Sequence, residues 1–328
     1  MLMLGRLAFV LTGPPTGELP FKLGPMWRGA LGLVLRESVC RQPPDAPCVG
    51  CTQVYSCAYG QFYETKAPPE FQQLASSGVP APLALYVSEH IEPVQTTQRG
   101  ATNKAGTSKA ITLVEYSVLG HALMLLPALV QAVQRLLART QGLGPQRSHL
   151  QLSQLIWEPR AGDASTRQML APNLPLYFAP VKPPIIPPVP GAIVLRSLTP
   201  LRINHQGRAL TELTPQDFLR RLLRRMSLLC AIYHYPPPEP ALLDLLVHVR
   251  LVASDWQQIK QSRQSSRQQR QVPAGGLHGW MRFELPAAAQ ALWPWLWIGQ
   301  FLHIGQGATQ GFGRYALDCK EVDELDGV

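Results

Sequence analysis

Pro180-Val181-Lys182-Pro183-Pro184-Ile185-Ile186-Pro187-Pro188-Val189-Pro190 sets six prolines in eleven residues. Proline fixes φ and has no N–H, so a run this dense forms neither a helix interior nor a central strand. The stretch reads as a linker over 181–191, joining a first domain, 1–180, to a second, 192–328. Each half has the ordinary size of a domain, ~100–200 residues.

Reading outward from the linker, the same order of elements stands on both sides. Beyond it, Ala192 to Ile203 reads as a strand, Pro215 to Tyr233 as a helix, and Leu245 to Ala253 and Gly279 to Leu285 as strands. Ala287 to Leu302 is helical apart from Pro294, and Arg314 to Cys319 is a last strand. Before the linker, Met3 to Leu11 is an aliphatic run stopped by Gly13-Pro14-Pro15, a strand signal. Pro25 then opens a helical stretch, Trp27 to Val39, with Trp27, Ala30, Leu31, Val34 and Leu35 at i, i+3, i+4, i+7 and i+8. Leu83 to Val87 and Ile111 to Val118 read as strands flanking a polar loop, Thr96 to Ser108. Ala122 to Leu137 reads as a long apolar helix and Ser148 to Trp157 as a further strand. The order β-α-β-β-α-β, met twice, predicts an α+β fold of two tandem ferredoxin-like (RRM-like, βαββαβ) domains.

Composition narrows the class. The chain has 328 residues, 46% hydrophobic and 16% charged, which supplies buried cores and excludes a disordered chain. The most apolar helix, His121 to Leu137, is cut by Pro127, Gln131, Gln134 and Arg135, so no membrane span is expected. The apolar start, Met1 to Gly13, lacks the basic region and cleavage site of a signal peptide. Six cysteines are too sparse for a disulfide scaffold, and four of them cluster, which fits a reducing cytoplasm. The formal charge is +9, with 23 Arg against 7 Lys. Arginine's planar fork matches phosphate oxygens, so the surplus points to a polyanion, most simply a nucleic acid. Between Arg196 and Arg314 there are 14 basic and 6 acidic residues, so the second domain holds nearly all of that surplus.

Four motifs could carry chemistry. Cys40, Cys48, Cys51 and Cys57 have the spacing C-x7-C-x2-C-x5-C, which suits a structural zinc site or four reduced thiols in a proline-rich excursion. Gly305, Gly307, Gly311 and Gly313 fall in nine residues between a helix and a strand. Such a loop can bring amides close to a phosphate, or simply make tight turns. No Lys-Ser/Thr follows it, which argues against nucleotide hydrolysis. Arg220, Arg221, Arg224 and Arg225 lie at helical spacing, either as a solvated face or as a phosphate-binding ridge. The segment Lys260 to Gln271 is polar and basic, carries Arg263, Arg267 and Arg270, and ends in Gly275-Gly276 before an aromatic strand.

Three groups of residues taken together carry a resemblance. The first is Trp27-Arg28-Gly29-Ala30-Leu31-Gly32 with the four cysteines and Tyr59. The second is Trp256, Ser266-Arg267-Gln268 and Gly275-Gly276-Leu277-His278-Gly279. The third is Leu302-His303-Ile304-Gly305-Gln306-Gly307-Ala308-Thr309-Gln310-Gly311-Phe312-Gly313-Arg314-Tyr315. They resemble the CRISPR-associated endoribonucleases that process precursor CRISPR RNA, a branch of the repeat-associated mysterious proteins (RAMPs). The resemblance implies one cut per CRISPR repeat RNA without a catalytic metal, leaving a 5′-hydroxyl and a 2′,3′-cyclic phosphate. It also implies retention of the mature guide RNA for an effector complex with other Cas subunits. Gln306, where relatives often carry lysine, and a first helix without histidine fit the alternative, a non-catalytic RAMP subunit that binds RNA.

On the nuclease reading, Arg28 and Arg36 are expected to offset charge on the phosphorane. His303 is the expected acid or base by residue type, and a packed helix-end histidine otherwise. RNA contacts are expected from Arg220, Arg221, Arg224, Arg225, Arg250, Arg263, Arg267 and Arg270, and from the four loop glycines. The four cysteines are the expected zinc ligands.

Overall fold

The computed structural model describes residues 2–43, 46–71, 79–92, 108–172, 176–205, 208–260, 262–265, 270–273 and 275–318. In the first half, β1 (Leu4–Gly13) leads to α1 (Leu23–Val39) and a short α2 (Ala58–Tyr63). Then follow β2 (Leu83–Glu92), β3 (Lys109–Leu119), α3 (Leu126–Leu137), β4 (Gln151–Glu158) and β5 (Gln168–Leu170). The sheet order is β2-β3-β1-β4-β5, with every pairing antiparallel. Leu7, Phe9, Leu11, Val114, Tyr116 and Val118 alternate onto one face and bury against Trp27, Leu31 and Leu35 of α1 and Leu129, Val130 and Val133 of α3.

The second half repeats the plan. It runs β6 (Ile193–Ser197), a small hairpin β7 (Asn204–His205) and β8 (Arg208–Ala209), α4 (Pro215–Ile232), and β9 (Arg250–Ile259). A second hairpin, β10 (Ser262–Ser265) and β11 (Arg270–Pro273), precedes β12 (Gly276–Glu284), α5 (Trp293–Leu302) and β13 (Tyr315–Asp318). The sheet order β13-β6-β12-β9 places the first strand beside the last and the third beside the second, as in the first half. This is the ferredoxin-like order, present twice. Thr214 caps α4 by accepting from the Asp217 N–H at 3.1 Å, with Pro215 in the first turn.

Two expected strands are shorter than their apolar runs. The run Ala192 to Ile203 ends as a strand at Ser197, because Pro200 cannot continue the ladder. Leu245 to Val249 does not join Arg250 to Ala253. Residues Pro240–His248 are 3-10 turns that bury Leu242 and Leu246, four apart, where a strand would bury alternate positions. Gly120–Leu137 has a mean hydropathy of 1.2 over 18 residues and is long enough to cross a bilayer by length and composition. Its apolar stripe, Leu126, Leu129, Val130, Val133 and Leu136, packs in the first core.

The two halves share a seam. Leu2, Leu4, Leu119 and Ala161 belong to the core of the second half. The proline stretch is a strap along it: Leu4 N–H donates to the Lys182 carbonyl at 3.2 Å, and the Trp293 indole donates to the Pro187 carbonyl at 2.7 Å.

Beside that apolar seam runs a chain of charges. Arg6 and Glu158 are opposite one another on β1 and β4, and Glu115 on β3 is diagonal to Arg6, so all three share one sheet face. Arg6 meets Glu158 at 3.1 Å and Glu115 at 3.4 Å. Arg314 of the second half reaches Glu115 at 3.5 Å, and Arg167 reaches Glu158 at 2.8 Å. The Phe301 ring of α5 lies 5.7 Å from the Arg6 guanidinium and 5.4 Å from that of Arg314. Removing one member of such a buried set strands the charge of its partners, at a cost of about 3–5 kcal/mol. Glu115→Gln is therefore expected to lower unfolding stability by about that much in a urea titration. A loss under about 0.5 kcal/mol, the range of surface changes, would show that the chain of charges is not what fastens the halves.

Candidate functional site

The glycine loop, residues 305–313, lies on this seam. Gly305, Gly307, Gly311 and Gly313 have φ of +74°, +81°, +87° and +79°, a region that side chains disfavour. A Cβ on Gly313 would run into the Ile304 carbonyl, and one on Gly305 into the Arg202 carbonyl. The amides of Gln306 and Gly313 donate to Arg202 and Pro200, and those of Gln310, Gly311 and Phe312 to carbonyls within the loop. These glycines therefore serve tight turns against the strip Pro200 to Arg202, and five of the loop's amides are committed inside the protein.

The N-terminal turn of α1 abuts the loop from the first half. Gly24 stands so close to Gln310 and Gly311 that a Cβ would overlap the Gln310 carbonyl. One turn on, Arg28 donates to the Phe62 carbonyl at 3.1 Å and to the Tyr63 and Thr309 carbonyls at 3.5 Å. Its guanidinium lies 4.1 Å from the Tyr63 ring centroid. Tyr63 stacks on Tyr59 at 5.1 Å with planes 1° apart, and Arg36 lies 5.7 Å from the Tyr59 centroid. Arg28, Tyr63, Tyr59 and Arg36 thus form one ladder between α1 and α2, a stacked pair of rings with a cation at each end. Burial pulls the Arg28 guanidinium below its ordinary pKa, with the nearby tyrosines acting the other way, and burial pushes the Tyr63 hydroxyl up.

Both arginines expected to face the phosphorane are engaged within the fold. Arg28 is spent on three carbonyls and a ring, and ties α1, α2 and the glycine loop together. Arg36 donates to the Ala46 carbonyl and braces the cysteine excursion.

His303 takes the place of the packed helix-end histidine. It is 1% exposed, caps α5 with φ +61°, and its Nδ1 lies 3.0 Å from the Phe312 carbonyl. Burial drives its pKa well below the ordinary value, with Arg314 adding to the effect. A proton shuttle needs a path to substrate, and this ring is sealed beneath the loop.

The arginine ridge divides in two. Arg220 and Arg224 are exposed. Arg221 pairs with Asp217 at 3.4 Å and donates to the Asn204 carbonyl, whereas Arg225 donates twice to the Leu302 carbonyl, at 3.2 and 3.0 Å. Burial lowers the Arg225 pKa to about 10, which leaves it charged at neutral pH but facing the core. Arg250 is exposed on the edge strand β9. The backbones of Arg263 and Arg270 lie in the β10–β11 hairpin, and Arg267 falls outside the described residues.

Cys40, Cys48, Cys51 and Cys57 line one cavity of about 20 Å³, close to the space of a single water. Burial pushes the Cys48 thiol up, with Glu64 adding to it. The donors are of the right kind for zinc but are not gathered. Among the described residues, no three His, Cys, Asp or Glu side chains form a metal-ligating group.

One pair at the seam was not singled out as a site from sequence. His278 on β12 rests against the Phe21 ring at 4.8 Å, just ahead of α1, and its Nδ1 lies 2.9 Å from the Ser197 hydroxyl of β6. Its neighbour Leu277 exchanges two backbone bonds with Leu201, in the strip that supports the glycine loop. The motif Gly275 to Gly279 contained this histidine, but strand periodicity gives no sign of what stands opposite.

Comparison with known proteins bears on the whole chain. Residues 195–315 match the family model of the CRISPR-associated endoribonuclease Cas6, and residues 2–173 match a model described as an N-terminal domain. No curated protein matches the sequence. Among solved structures, Thermus thermophilus Cas6 shares 13% identity over 97% of this chain and 99% of its own, with a TM-score of 0.50. A Cas6 product complex shares 18% identity over 96% and 99%, with a TM-score of 0.48. An RAMP protein binding different RNA substrates shares 12% over 96% and 99%, with a TM-score of 0.40. At these identities the likeness is one of fold.

The contact between Gly24 and the loop gives a sharp test. In an exposed helix, Gly→Ala stabilises by about 1 kcal/mol. Here Gly24→Ala is expected to destabilise by about 1–3 kcal/mol, as overpacking does, because the Gln310 carbonyl fills the Cβ position. Thermal unfolding of the variant measures it, and a raised midpoint would contradict the close packing of α1 on the loop.

Proposed function

The chain belongs to the CRISPR-associated endoribonuclease Cas6 family, and we propose that it cuts CRISPR repeat RNA once per repeat to release mature guide RNA. The observation that carries this reading is the seam itself. A glycine loop lying within the residues that match the endoribonuclease model is fixed by Arg28 to the first helix of the other half. A strand of RNA laid along that seam would touch both halves.

The chemistry proposed is attack of the 2′-hydroxyl on the adjacent phosphorus, giving a 2′,3′-cyclic phosphate and a 5′-hydroxyl. This route needs in-line alignment, which can contribute on the order of 7–11 kcal/mol in the best cases, and it needs no metal. Two of the structural neighbours are a Cas6 product complex and a Cas6-RT-Cas1–Cas2 complex. By analogy, this chain is proposed to keep its cleaved RNA and pass it to other Cas subunits in the cytoplasm.

The test is cleavage of the end-labelled repeat of its own array in excess EDTA, with a 2′-deoxy nucleotide at the cut as control. A single cut in EDTA that the deoxy substitution abolishes is expected, with a cyclic phosphate on the 5′ fragment. Tight binding without any cut would instead establish the non-catalytic RAMP subunit.

A further inference from the structure

We propose that His278, held by Ser197, accepts the proton of the attacking 2′-hydroxyl through its Nε2, an inference that rests on the endonuclease reading above. One assignment of the hydrogens around Ser197 gives every polar group there a partner. The Gly279 N–H donates to the Ser197 Oγ at 2.8 Å, and the Ser197 O–H reaches the Gly279 carbonyl at 3.1 Å. With its hydrogen given to that carbonyl, Oγ can only accept from His278, so Nδ1 carries the proton and donates at 2.9 Å. This assignment satisfies all four groups. It leaves Nε2 as a lone-pair acceptor, and no hydrogen bond holds it among the described residues. A hydroxyl that fixes the tautomer of a histidine is the orienting partner that general-base chemistry requires.

The placement is suited to the task. His278 is half-buried at the seam. Phe21, at 4.8 Å, comes three residues before Gly24, which touches the glycine loop, and Leu277 is tied through Leu201 to the strip beneath that loop. A closed circuit of contacts therefore runs from His278 through the strip, the loop and α1 back to Phe21. His303, at the end of α5, is buried against the Phe312 carbonyl of the loop.

Across the sheet, Gln257 on β9 stands opposite His278, and Asp255 stands opposite Trp280. On the α1 side, Lys22 follows Phe21 in the chain. Desolvation holds the His278 ring below the usual histidine pKa, which keeps it neutral near pH 7, the form a base needs.

The step balances. His278 Nε2 takes the 2′-hydroxyl proton and O2′ forms a bond to phosphorus. The P–O5′ bond breaks with its electron pair on O5′, which takes a proton from water. The imidazolium then returns its proton to solvent, leaving a cyclic phosphate and a 5′-hydroxyl.

Single-turnover cleavage of the repeat, with enzyme in excess, tests this in the wild type, His278→Ala, His278→Gln and Ser197→Ala. Expected for His278→Ala is unchanged RNA affinity with cleavage slowed about 10²–10⁴-fold, the usual worth of a positioned base. Added imidazole should restore part of the rate. The wild-type rate should fall as pH drops through the lowered histidine pKa, and that limb should vanish in His278→Ala. Ser197→Ala should slow cleavage while keeping the limb, as a positioning residue does.

Wild-type rates in His278→Ala would overturn the assignment. So would loss of RNA binding equal to the loss of cleavage in both His278 variants, which would make the ring a binding contact only. A wild type that binds but never cuts would overturn the endonuclease reading, and the base with it.

Discussion

Five charged side chains in a row, Arg314, Glu115, Arg6, Glu158 and Arg167, constrain everything else in this molecule. Each half is a ferredoxin-like sheet with helices on one face, which leaves the opposite face to be covered or wetted. In the first half that face carries Leu4 and Leu119, which join the second core, and then Arg6, Glu115 and Glu158. Charges there are tolerable only because each finds a partner, and one of those partners, Arg314, belongs to the other half. Arg314 directly follows the glycine loop and directly precedes β13. The ion chain therefore sets where the loop can lie relative to β1, and so relative to α1.

From that anchor the site follows by contact. The loop turns on four glycines in the left-handed region, rests on Pro200 to Arg202, and meets Gly24 of α1. Arg28 then fixes α1 to α2 and to Thr309. An arginine in this position acts by holding carbonyls from two segments, α2 and the glycine loop, in register, a role that a lysine's single ammonium could not fill as well. Gly32 belongs to the same design, since the Tyr63 ring occupies the space a Cβ would need.

Much of this was legible from sequence, and the rest was hidden for identifiable reasons. The proline stretch and the two sets of β and α periods gave the tandem order, because burial of one face writes a period into the chain. The strap role of Val181, Ile186 and Val189, which pack into the two cores, was not visible, since proline content reads as a linker whether or not it is pinned. Arg225 looked like part of a surface ridge with Arg221. Yet Phe218, Leu222, Arg225 and Leu229 form an i, i+4, i+7, i+11 stripe, and that spacing could have placed it on the buried side. Arg28 and Arg36 are expected at the site from their place on the first helix, and His303 from its residue type. Residue type does not say whether a side chain meets a phosphate or a carbonyl, and all three meet carbonyls. His278 and Ser197 lie 81 residues apart, and only the pairing of β6 with β12 brings them together.

On the proposed reading, RNA is held along the seam where α1, the glycine loop and the start of β12 meet. Hydrogen–deuterium exchange of the full chain with and without its repeat RNA measures this directly. Protection concentrated in residues 19–28, 276–280 and 305–313 is the result predicted. Protection confined to the outer face of α4 around Arg220 and Arg224, with the seam unchanged, would contradict it.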